Sequence, residues 1–104
     1  MANLSLWKVK EGKREEWLEW CKGIMTNYEE AAETLKEEQL IEERCVLFDV
    51  GDESYLVYFH QPEEGKQKLP ANMEKEINRM HFKKMEECLE RCTEKTEGYN
   101  VLAA

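Results

Sequence analysis

No stretch of this 104-residue chain approaches the roughly 20 consecutive apolar residues that a membrane-spanning helix needs. The first residues, MANLSLWKVKEGK, lack a basic segment followed by a long apolar run, so neither export nor membrane anchoring is expected. Basic charge is also short: 15 Lys and Arg stand against 23 Asp and Glu, giving a formal net charge of -8 at pH 7. A field of that sign repels phosphate backbones and works against affinity built on counterion release, so nucleic acid is not an expected partner. The chain contains no phosphate-binding Gly-rich loop, no GxSxG, no HExxH and no paired CxxC. The common motif-borne mechanisms are therefore absent, and no cofactor is expected.

What is present is enough to fold. Hydrophobic residues make up 41% and charged residues 37%, with three Trp, four Tyr and three Phe, a composition too apolar for a disordered chain. The length fits one domain over residues 1–104 with one modest core. Four cysteines, Cys21, Cys45, Cys88 and Cys92, accompany no export signal and read as reduced thiols of a cytoplasmic protein. Cys88 and Cys92, four residues apart on an expected helix, would project side by side in a geometry poor for a disulfide.

Apolar groups at Leu4, Leu6, Trp7 and Val9 predict a strand over Asn3 to Lys10, ended by Glu11-Gly12. Trp17, Cys21, Ile24, Tyr28, Ala31 and Leu35 recur at helical steps and predict a helix from Lys13 to about Gln39. Asn27 followed by Glu30 has capping-box spacing, which places a kink or restart there. The continuous runs Cys45-Val46-Leu47-Phe48 and Tyr55 to Phe59 predict two strands joined by a hairpin turn around Gly51-Asp52. A loop over Gln61 to Asn72, a helix from about Met73 to Thr93 and a last strand over Tyr99 to Leu102 complete the chain. The order is that of a ferredoxin-like β-α-β-β-α-β unit, an α+β fold.

In a lone unit of this type one sheet face meets water and its strands alternate apolar with polar residues. The two central runs are apolar on both faces, which predicts that a second copy covers the open face. Such a homodimer is a dimeric α/β barrel. The segments KVKEGKREEW at 8–17, AAETLKEE at 31–38, YLVYF at 55–59 and HFKKMEECLE at 81–90 resemble a family of roughly 100-residue proteins of unknown function. By its expected fold that family belongs among the dimeric α/β-barrel proteins. The resemblance implies fold and dimerisation; with no activity established for the family, it brings no catalytic residues.

The chain has two histidines. His60 closes the second hairpin strand on the face of Leu56 and Tyr58, and His81 lies on the stripe of the last helix with Met85, Cys88 and Cys92. A three-residue hairpin loop would set Arg44 opposite His60, and a two-residue loop would set Glu43 there instead. Either arrangement places an ionisable pair beside aromatic rings, the composition of a small-molecule pocket. His60 and His81 are thus the candidate acid-base groups, and Arg44, Tyr58 and Trp7 the candidate ligand contacts. The bland alternative for each is a surface charge pair or ordinary core packing. A thiolate pair at Cys88 and Cys92 falls short of a metal's ligand count, so no metal is expected. The function class read from these residues is a small-molecule-binding homodimer. The alternative is a cofactor-independent enzyme of the barrel class, with monooxygenase- or mutarotase-like acid-base chemistry. An adaptor that binds a protein partner would instead leave an apolar patch uncovered by the homodimer.

Overall fold

The computed structural model describes residues 3–103. It contains β1 (Asn3–Val9), α1 (Arg14–Thr26), α2 (Tyr28–Glu37), β2 (Leu40–Val50), β3 (Glu53–Pro62), α3 (Glu76–Cys88) and β4 (Leu89–Arg91). The strands form one antiparallel sheet in the order β2-β3-β1-β4. The protein is thus α+β, with four strands and three helices among the described residues.

The helix expected from Lys13 to Gln39 breaks at Asn27, as the sequence suggests, but for a different reason. The Asn27 amide nitrogen Nδ2 donates back to the Gly23 carbonyl at 2.9 Å, closing the end of α1, and its side chain makes no cap bond to α2. At the end of α2, Gln39 takes a left-handed backbone with φ of 59°. Its side chain donates to the Gln67 carbonyl at 2.9 Å. Backbone bonds from Glu63 to Gln39 and from Leu69 to Glu38, both 2.9 Å, tie the long loop after β3 to this corner.

The helices cover one face of the sheet. Val9, Trp17, Leu56, Tyr58, Cys88 and Leu89 form the buried core, with Trp7, Trp20, Cys21, Cys45, Leu47 and Met85 packed around them. Strand alternation sends Leu4, Leu6, Val46, Phe48 and Val50 to the other face, where all are exposed.

The C-terminal quarter corrects the sequence reading. α3 begins at Glu76 rather than Met73 and stops at Cys88, where Leu89 turns extended (φ -125°, ψ 149°) and the chain enters β4 directly. β4 pairs with the free edge of β1 through Trp7–Arg91, Lys8–Glu90 and Val9–Leu89. Tyr99 to Leu102 forms no strand and is exposed. Leu89 and Cys92 fall at helical intervals from Met85 and Cys88, so periodicity extended the helix; pairing with an open sheet edge overrode it. Cys92 therefore lies outside α3, exposed, with its thiol donating to the Glu94 carbonyl at 3.2 Å. It shares no helix face with Cys88.

Candidate functional site

An open cleft of about 840 Å³ lies between the helices and the covered sheet face. Its aromatic walls include Trp7 of β1, Trp20 of α1, Tyr58 of β3 and Phe82 of α3, and its ionisable groups include Glu43, His60 and His81. Strand geometry explains the gathering. Ser5 and Trp7 on β1, Tyr58 and His60 on β3, and Glu43 on β2 occupy alternate positions on the same face, in a ladder that pairs Ser5 with Tyr58 and Glu43 with His60.

Glu43 Oε1 and His60 Nε2 are 2.8 Å apart, with both side chains mostly withdrawn from solvent. Burial pushes the Glu43 carboxyl up, but the hydrogen bond from His60 and the nearby positive groups more than offset it and hold it below the usual carboxylate range. Glu43 is thus an acceptor-only carboxylate, so the bonded nitrogen of His60 carries the proton. No hydrogen bond among the described residues reaches His60 Nδ1. The imidazole lies nearly parallel to the Tyr58 ring, with centroids 5.6 Å apart and planes 14° apart.

His81 is held differently. Trp20 Nε1 donates to His81 Nδ1 at 3.0 Å, and an indole nitrogen can only donate. Nδ1 must therefore carry a lone pair, which puts the proton of the neutral ring on Nε2, 3.4 Å from the Tyr58 hydroxyl. Burial lowers the His81 pKa, partly opposed by Glu43 and reinforced by His60. The cleft so combines a carboxylate-backed imidazole with a neutral imidazole. The first can accept a proton at its free nitrogen, and the second presents an N–H.

Trp7, Tyr58, His60 and His81 all line the cleft. Arg44 does not. The hairpin loop has two residues, Val50 pairs with Glu53, and the register places Glu43 opposite His60 and Arg44 opposite Phe59. One residue of register exchanges the faces. Arg44 consequently stands on the open face, exposed and bonded to Glu42 at 3.0 Å. Sequence reasoning passed over Trp20, although its place three residues after Trp17 puts it on the stripe of α1. It also passed over Glu38, buried beside the cleft and paired with Lys68 at 3.0 Å. Nothing in the local sequence marks that pair, which the loop after β3 brings together. Among the described residues no three His, Cys, Asp or Glu side chains are grouped to hold a metal ion, and no helix is long and apolar enough to cross a membrane.

Residues 2–103 match a family defined without an assigned activity. The chain belongs to that family of unknown function, DUF6176. No curated protein and no solved structure matches it. For this DUF6176 member the comparisons bring no activity.

Proposed function

We propose that this protein binds a small, largely apolar molecule in the cleft between sheet and helices, with the Glu43–His60 pair as its polar anchor. The observation that carries the reading is the convergence of that pair and neutral His81 within one aromatic-walled opening. Such a mixture of apolar walls and a few directed polar groups is typical of ligand sites. The binding unit is a ferredoxin-like domain acting as a homodimer in the manner of a dimeric α/β barrel. The strand order β2-β3-β1-β4 with antiparallel neighbours, and the apolar side chains left exposed on the uncovered face, support that reading. The compartment is the cytoplasm, consistent with four thiols in the free form.

A second reading, cofactor-independent acid-base catalysis, is favoured by one feature: a carboxylate backs His60. In that reading His60 takes a proton from the bound molecule, Glu43 stabilises the imidazolium, and His81 offers its N–H to developing negative charge. The test screens the parent protein, His60→Gln and His81→Gln against small metabolites by thermal shift. Compounds that stabilise the parent should lose most of their effect in His60→Gln. A compound that stabilises both equally removes His60 from the site. If the bound compound is also turned over, His60→Gln should lower its turnover by about 10²–10⁴-fold.

A further inference from the structure

The cleft has a cationic end that the Glu43–His60 pair does not account for. Arg91 of β4 lies opposite Trp7 of β1 in the ladder and so shares its sheet face, toward the helices. The guanidinium carbon stands over the Trp7 ring, 5.5 Å from its centroid. Trp7 is held on its other sides as well. Its Nε1 donates to Ser5 Oγ at 2.9 Å, and the Tyr58 ring meets the indole edge-on, with centroids 6.4 Å apart and planes 77° apart. Arg91, Trp7, Ser5 and Tyr58 all line the cleft. The chain after β4 continues along the edge of β1, where the Cys92 amide donates to the Leu6 carbonyl at 2.9 Å and Lys95 Nζ to the Leu4 carbonyl at 3.0 Å. Lys95 thereby joins Arg91 on the β1 edge of the same opening.

The Arg91 guanidinium is the group without a partner. The chain has four arginines. Arg14 and Arg44 pair with carboxylates, and Arg79 donates to the Met73 and Glu74 carbonyls. Arg91 reaches no acceptor among the described residues, in a chain where 23 acids stand against 15 bases. A guanidinium stacked on an indole uses its face on the ring and keeps the N–H fork at its edge, the geometry that grips a carboxylate through two parallel bonds. Local charge agrees. Of the four acids on the cleft lining, Glu38, Glu42 and Glu43 pair with Lys68, Arg44 and His60, which leaves Glu86 against both Arg91 and Lys95.

We propose that Arg91 holds the carboxylate of a flat aromatic acid whose rings lie along Trp7 and Tyr58 toward the Glu43–His60 pair; the assignment rests on the reading of the cleft as a ligand site. It names what that site selects: an arylcarboxylate over its neutral analogue. The sheet sets the length. Trp7 is opposite Arg91 and Asn3 is opposite His60, so two strand spacings and four residues along β1 separate the Cα positions of Arg91 and His60, about 17 Å. Tyr58, opposite Ser5, lies between them. Side chains reaching inward from both ends leave a gap that a bicyclic ring system bearing one carboxylate spans. A second carboxylate is disfavoured, because the far end already holds the ionised Glu43.

The test titrates 2-naphthoate and its neutral isostere 2-naphthamide into the full chain by isothermal titration calorimetry, at neutral pH and low ionic strength. The acid should bind the parent about tenfold more tightly than the amide, the scale of one charge-assisted contact. Arg91→Gln should abolish that preference with the circular dichroism spectrum unchanged. Arg91→Lys keeps the charge but loses the fork and the stacked face, and should restore only part of it. Lys8→Gln removes the same charge from the opposite sheet face and should leave the preference at its parental value. A preference that survives Arg91→Gln, or that Lys8→Gln removes as completely, overturns the assignment of Arg91. Equal binding of acid and amide, or tighter binding of the amide, also overturns it while leaving the cleft as a site for neutral molecules. If neither compound binds, the assignment and the reading of the cleft as a ligand site fall together.

Discussion

The indole proton that Trp20 gives to His81 Nδ1 ties one side chain's protonation to the stability of the whole fold. Protonating Nδ1 would set two donors against each other in a buried site, which agrees with the lowered His81 pKa. Below the usual histidine value of about 6.5 the unfolded chain gains a proton that the native state resists, so native stability falls as pH drops through that window. The slope ends once pH falls below the depressed native value. Glu43 acts in the same direction but lower: its carboxyl is held below 4.5, so its contribution is present above that value and is lost as pH falls through the native one. The two windows should be separable. Melting temperatures between pH 7.5 and 3 should fall in two stages; His81→Gln should flatten the upper stage and Glu43→Gln the lower. A single stage unaffected by His81→Gln would show that His81 titrates normally in the native state.

At the scale of elements, one two-residue turn decides which charge meets His60. Gly51 has φ of +61° and is the first of the two turn residues, as in a type II′ hairpin. A Cβ there would touch nothing within 4 Å, so Gly51→Ala should cost only its backbone penalty, about 1–2 kcal/mol, lowering the melting temperature by several degrees. Asp52→Ala should cost much less; equal losses in the two variants would contradict a glycine-specific turn. The strands of this hairpin were legible because their apolar runs were bounded by turn residues, and the restart at Asn27 because polar residues interrupt a helical stripe. Loop length was not legible, and with it went the choice between Glu43 and Arg44, since a period of two repeats identically in either register. The end of α3 was hidden for a related reason: Leu89 and Cys92 satisfy the helical period, whereas the partner that claims Leu89 is Val9, far away in sequence. His60 and Tyr58 were readable as neighbours on one strand face. The Trp20–His81 bond was not, because it joins α1 to α3 across 61 residues.

At the scale of the molecule, the net charge of -8 and the apolar sheet face act in opposite senses on association. On the open face Lys8 pairs with Glu53 at 3.3 Å and Arg44 with Glu42 at 3.0 Å, so the charges around the apolar patch balance locally. Within the patch, Leu6 pairs with Val57 and Val57 with Val46, forming a row across three strands. A two-fold partner would bury this row against its own copy, so each substitution in it acts twice. Leu6 is 43% exposed and Phe48 53% exposed, so Leu6→Asp and Phe48→Asp should be tolerated by a folded single chain while placing like charges in the shared interface. Sedimentation equilibrium at micromolar concentration should find the parent at twice 12.4 kDa and the double variant at 12.4 kDa, with unchanged circular dichroism. Salt supplies an independent sign. Repulsion between two chains of charge -8 is screened as ionic strength rises, while apolar burial is not weakened, so the parent dimer should tighten between about 0.01 and 0.15 M salt, where the screening length falls from roughly 30 to 8 Å. A parent that remains at 12.4 kDa at both salt concentrations would leave the open face without a second copy, whereas a dimer that loosens with salt would place its interface on charged helix surfaces instead.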